Sequence, residues 1–116
     1  MELETPSGNL FGYSGARAHQ SGQDAVVFIH GTGMDHTVWV LPSRYFARHG
    51  YNVLALDLPA HGRSQGSPAT TIDAMADAVI EAMATANISS AALVGHSMGS
   101  LVALSAAARY PDRARS

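Results

Sequence analysis

The chain of 116 residues contains no cysteine. That excludes a disulfide framework, a thiolate metal site and a cysteine nucleophile together. It contains no lysine either, so a phosphate loop that needs one is absent. Charge is scarce, at 14% of residues, and nearly balanced: seven basic residues against nine acids leave a formal net charge of −2. That balance gives no electrostatic footprint for nucleic acid. No apolar run approaches the roughly 20 residues that span a bilayer, so no membrane span is expected. The N-terminus, Met1-Glu2-Leu3-Glu4-Thr5-Pro6, is acidic where a secretory leader is basic and then apolar. A soluble, cytoplasmic protein is the expectation. What the chain does have is apolar side chain, 47% of it, and length for one buried core.

Three short apolar runs stand out. Ala25–Ile29, Tyr51–Leu56 and Ala91–Val94 are nearly uninterrupted and rich in branched residues, and each stops at polar or turn residues. Runs of this kind read as strands covered on both faces, as in parallel sheets. Helical patterns lie between them. Pro42 suits a first helical turn and Gly50 a stop. A second helix begins near Thr70, where Thr70 and Asp73 have capping-box spacing. Ile72, Met75, Val79 and Met83 follow as one apolar stripe. Asp73, Asp77 and Glu81 form a row four apart. Such a row invites a metal, but like charges on an amphipathic helix are ordinarily a solvated face, and that is the expectation here. A last helix runs from about Ser97 to Tyr110 and ends at Pro111. The order strand–helix–strand–helix–strand–helix predicts an α/β fold, a mostly parallel sheet with βαβ crossovers. Residues 1–23 are expected to form a hairpin, Leu10–Tyr13 with Ala16–His19 around Ser14-Gly15.

Gly95-His96-Ser97-Met98-Gly99 falls between the third strand and the last helix. A sharp strand-to-helix turn lifts the serine side chain above the sheet and crowds the positions two before and two after it. Glycine fits there and larger residues clash. The serine then sits at a helix N-terminus, whose free N–H groups favour a developing oxyanion, with Met98 supplying one donor.

This unit resembles the nucleophile elbow of the α/β-hydrolase superfamily. His30-Gly31-Thr32-Gly33 follows the first core strand, where that family carries its His-Gly oxyanion turn. The resemblance implies Thr32 as the second amide donor, with Gly33 as the fallback. Asp57-Leu58-Pro59-Ala60-His61-Gly62-Arg63-Ser64 is similar to the family's D-x-P-G-x-G-x-S loop, except that Ala60 replaces its first glycine. A locally altered backbone is therefore expected there. The implied activity is attack by Ser97 on an ester, amide or similar acyl bond of a small-molecule substrate. Serine at this position argues against the aspartate-dependent haloalkane dehalogenases and epoxide hydrolases. Acyltransferases, perhydrolases, hydroxynitrile lyases and a non-catalytic ligand-binding relative remain open.

A triad also needs a base and an acid. His96 adjoins Ser97 but points elsewhere, His30 is expected to brace the oxyanion turn, and His61 lines the pocket. His19, His36 and His49 have no supporting context. The family order is serine, acid, histidine, yet after Ser97 there is no histidine, and Asp112 is the only carboxylate residue. The reading is therefore the N-terminal part of an α/β-hydrolase fold, residues 1–116 being a partial core domain and inactive alone. Its open edge would be Ala91–Val94. No cofactor and no metal are implied: Gly31-Thr32-Gly33 lacks the third glycine of a dinucleotide fingerprint, His36 standing in its place.

Overall fold

The computed structural model describes residues 1–65, 69 and 71–115. Its strands are β1 (Glu2–Thr5), β2 (Gly8–Tyr13), β3 (Asp24–Ile29), β4 (Tyr51–Leu56), β5 (Ala91–Gly95) and β6 (Ala114–Arg115). Its helices are α1 (Val40–Arg48), α2 (Ile72–Thr85) and α3 (Met98–Arg109), with a 3-10 turn at His36–Trp39 leading into α1. The six strands form one sheet in the order β1-β2-β4-β3-β5-β6. Pairing from β4 to β6 is parallel, whereas β1 and β2 add an antiparallel margin.

The apolar runs become central strands because alternate side chains feed two cores. Val27, Ile29, Leu54, Leu56 and Leu93 pack with Val79, Met83, Val102 and Ala106 under α2 and α3. Val26, Phe28, Val53 and Ala55 pack with Ala47, Trp39 and Phe46 on the α1 side. Both faces are covered, so neither shows polar alternation. Full burial of Val79 and Met83 stabilises by about 2 kcal/mol each.

Four expectations are corrected or extended. The hairpin joins β1 to β2, with Leu3 opposite Leu10 and Thr5 opposite Gly8. Its turn is Pro6-Ser7, fastened by Thr5 Oγ1, which donates to the Gly8 carbonyl at 2.8 Å and accepts from the Ser7 N–H at 3.1 Å. Ser14-Gly15 instead lets the chain pass under α1: Gly15 has φ +74, and a Cβ there would lie 2.5 Å from the Ser43 carbonyl oxygen. Thr70 lies outside the described residues, and the cap of α2 is Thr71, whose Oγ1 accepts from the Ala74 N–H at 3.0 Å.

Third, the acidic row faces solvent as expected, Asp73 being exposed and Asp77 partly so, but it also joins elements. Asp77 accepts from the Tyr110 hydroxyl at 2.5 Å and lies 2.8 Å from Arg109. Asp73 accepts from Ser105 at 2.6 Å, and Glu81 from Ser7 in the hairpin turn at 2.7 Å. The Tyr110 hydrogen bond, with Arg109 beside it, holds the Asp77 carboxyl below the usual carboxylate range. Fourth, β5 is not a fully open edge. A turn at Tyr110–Arg113 brings β6 alongside, pairing Ala114 with Ala91 and Arg115 with Ala92, while Val94 stays exposed.

Candidate active site

From β3 the chain crosses by α1 to β4 on one side; from β4 it crosses by α2 to β5, on the other side of β3. The strand order reverses at β3. Its carboxyl end therefore opens into a crevice between diverging loops, the usual ligand position in an open α/β sheet. Two loops line that crevice, one after β3 and one after β5.

The loop after β5 is sharply bent. Ser97 has φ 57° and ψ −122°, a backbone region that costs a non-glycine residue about 1–3 kcal/mol. Neighbouring contacts hold it there. The His96 N–H donates to the Ile29 carbonyl at 3.1 Å, and the Gly99 N–H to the His96 carbonyl at 2.9 Å. A methyl group at Gly95 would overlap the Gly99 carbonyl, and one at Gly99 would overlap the Ile29 carbonyl. The elbow thus packs backbone on backbone, and only glycine permits it. Ser97 is exposed at the start of α3. Among the described residues its hydroxyl has no hydrogen-bond partner.

The turn after β3 lies against this elbow. A Cβ at Gly31 would sit 3.3 Å from both Ser97 Cβ and the His96 carbonyl oxygen. Thr32 is exposed and its hydroxyl donates to the Met98 sulfur at 3.0 Å. Gly33 projects into open space with φ +73. His30 is fully buried beneath the turn. The Leu58 N–H donates to its Nε2 at 3.0 Å, so that nitrogen carries no proton. Nδ1 must then hold the proton and donate it to the Gly31 carbonyl at 2.7 Å. Burial lowers the His30 pKa from its ordinary 6.5, against the raising effect of that carbonyl. The neutral ring therefore ties the turn after β3 to the loop after β4.

That third loop closes on Asp57, which is fully buried. Its Oδ1 accepts from the His36 N–H at 2.6 Å and faces His36 Nδ1 at 2.9 Å, and its Oδ2 accepts from the Arg63 N–H at 2.9 Å. The Asp57 carbonyl accepts from the Ser64 hydroxyl at 2.5 Å, and Ser64 Oγ in turn accepts from the Phe11 N–H at 2.9 Å. A methyl group at Gly62 would overlap the Asp57 carboxylate. Ala60 has φ 63°. Alanine adopts that left-handed conformation only at a strain cost.

The pairing of His36 with Asp57 escaped sequence reading. The two residues are 21 positions apart, and no local pattern links a histidine after the Gly31–Gly33 turn to a strand-end carboxylate. Asp35, His36 and Asp57 bring ligand atoms within 4.8 Å of one another. Hydrogen bonds within the protein already account for this closeness: Asp57 is held by the groups above, and Asp35 Oδ1 by the Thr37 amide at 2.9 Å and its hydroxyl at 2.5 Å. The remaining histidines are equally settled. His19 bonds the Val53 carbonyl, His49 the Tyr45 carbonyl and His61 the Pro59 carbonyl. His61 also lies with its ring centroid 5.0 Å from that of His30. His96 and Asp112 are exposed.

Comparison with known proteins agrees with this geometry. A family model described as the alpha/beta hydrolase fold matches residues 24–116. Over 90 residues the chain is 37% identical to the (E)-2-((N-methylformamido)methylene)succinate hydrolase of Acinetobacter baylyi, covering 77% of this chain and 34% of that protein. Over 93 residues it is 43% identical to the dihydrolipoyllysine-residue acetyltransferase component of the acetoin cleaving system of Cupriavidus necator, covering 79% of this chain and 25% of that protein. The chain spans about a quarter to a third of the length of these curated relatives. A CIB-like hydrolase from Thermoplasma acidophilum superposes with a TM-score of 0.87 at 20% identity, over 98% of this chain and 57% of that one, a likeness of fold alone. No described helix is long and apolar enough to cross a membrane. With its sheet order, its glycine-walled elbow and this match over residues 24–116, the chain belongs to the alpha/beta hydrolase family.

Proposed function

We propose that the complete protein cleaves an ester, amide or related acyl bond of a small molecule, with Ser97 as nucleophile and the N–H groups of Thr32 and Met98 as oxyanion donors. The observation that carries this reading is the backbone of Ser97. A non-glycine residue at φ 57°, exposed and with no partner for its hydroxyl among the described residues, is strain held at a surface where folding alone gains nothing from it. Attack by Oγ on the acyl carbon turns the carbonyl oxygen into an oxyanion, and donors aimed at that oxygen stabilise it by roughly 3 kcal/mol each. A general base takes the serine proton, and water then releases the acyl group.

This reading assigns base and acid to polypeptide outside residues 1–116. Five of the six histidines are engaged elsewhere, and His96 precedes the nucleophile directly. The residues present set up attack but not the identity of the acyl acceptor. The Cupriavidus relative carries an acetyltransferase name, which favours acyl transfer to a second substrate as the other reading. Release of p-nitrophenol from short acyl esters by the complete gene product tests the proposal. Ser97→Ala is expected to lower turnover by roughly 10⁴-fold or more with the thermal midpoint kept. Undiminished hydrolysis in that variant would place the nucleophile elsewhere.

A further inference from the structure

We propose that the Thr32 hydroxyl is a third oxyanion donor, parked on the Met98 thioether until negative charge develops. The inference rests on the assignment of Ser97 and its two amide donors. Thr32 Oγ1 and Thr32 N are separated by only two carbons, so one acceptor atom can receive both N–H and O–H. The hydroxyl already points across the crevice, because its partner at 3.0 Å is the side chain of Met98, the residue assigned the opposing amide. With the Thr32 and Met98 amides that the proposed function assigns, the hydroxyl makes a third donor beside Ser97, against which the Gly31 turn packs.

The present partner is a poor one. A thioether sulfur is a weak acceptor, whereas a hydrogen bond to an anionic oxygen is among the strongest a hydroxyl makes. Rotation about Cα–Cβ exchanges the first for the second, and Thr32 is exposed, so no packing opposes the turn. Such a bond is gained only as charge appears on the reacting oxygen, which raises the chemical rate rather than ground-state binding.

A purely structural role makes a different forecast. If the O–H···S contact merely fastens the two loops, removing either partner should do equal harm. The experiment follows modification of Ser97 by diethyl p-nitrophenyl phosphate, read by intact mass in the longest polypeptide the gene encodes. In that step the Oγ–P bond forms, the P–O(aryl) bond breaks and p-nitrophenolate leaves, while the serine proton passes to base or solvent. Thr32→Val keeps the branched shape and is expected to slow labelling by roughly 30-fold or more; Thr32→Ser should recover to within about threefold of the parent. Met98→Leu keeps the amide and frees the hydroxyl, and should label up to about twofold faster. Equal slowing in Thr32→Val and Met98→Leu identifies a fastener and overturns the proposal, as does full-rate labelling of Thr32→Val. Persistent labelling of Ser97→Ala, or none in the parent protein, overturns instead the assignment of the nucleophile on which it rests.

Discussion

Two loops at the carboxyl edge of the sheet carry a buried or exposed oxygen at a strand end, and they treat it in opposite ways. In the loop after β4, the Asp57 carboxylate is fully buried and receives N–H groups from His36 and Arg63. In the loop after β5, the Ser97 hydroxyl is exposed and, among the described residues, unpartnered on a strained backbone. Both loops depend on glycines pressed against their neighbours. The difference lies in what the close packing holds. After β4 it satisfies a polar group at the expense of its reactivity; after β5 it leaves one unsatisfied where a substrate can arrive. A buried carboxylate bonded by backbone amides holds a loop together, whereas a hydroxyl left free on a distorted backbone stays open to solvent.

The sharpest way to break this contrast is to fill the elbow. Gly99→Ala drives a methyl into the Ile29 carbonyl, which belongs to the central strand and cannot retreat. A loss of about 3 kcal/mol or more is expected, read as a fall in the urea midpoint. Asp57→Ala should come next. It strands the His36 and Arg63 amides without their acceptor and costs about 3 kcal/mol, whereas Ser97→Ala should leave the midpoint nearly unmoved. Equal destabilisation by the two would erase the distinction between a structural and a chemical oxygen.

His30 ties the loop after β4 to the turn after β3, which lies against the elbow, and gives the comparison a pH dependence. Burial sets its folded pKa below 6.5, so the unfolded chain binds a proton that the folded one resists. Its contribution is complete above about pH 6.5 and is lost as pH falls towards and through the lowered value. The thermal midpoint is expected to decline over that acid window, and His30→Asn should flatten the decline. The smallest effect is expected at Ala60. Ala60→Gly relieves a left-handed alanine and should raise stability by about 0.5–1 kcal/mol, measured by the same urea titration. A decrease would mean that the methyl group packs usefully despite its strain.

The architecture was legible in the chain wherever burial writes a continuous signal. Ala25–Ile29, Tyr51–Leu56 and Ala91–Val94 became β3, β4 and β5 within a residue at either end, since strands covered on both faces must be apolar throughout. The margins were less legible. Leu3 is a single apolar residue between two glutamates and pairs with Leu10 only through the β1–β2 register. The short β6 carries no pattern of its own. The acidic row of α2 looked like only a solvated face because its partners, Ser7, Ser105, Arg109 and Tyr110, arrive from other elements. The elbow was readable because glycine spacing around a serine is a local steric requirement, whereas the bond between His36 and Asp57 is a meeting of separate loops.

The sequence alone therefore determined the alternation of strand and helix, the place of the glycine-walled turn and the serine at its apex. Each depends on side-chain size and polarity within a few neighbouring residues. Only the tertiary structure decided which polar groups find partners: that His30 is a neutral bridge, that Asp57 is buried against the His36 and Arg63 amides, and that Thr32 rests on Met98 across the crevice. Those outcomes depend on which strand ends the crossovers bring side by side, a property of the sheet as a whole that no short stretch of chain contains.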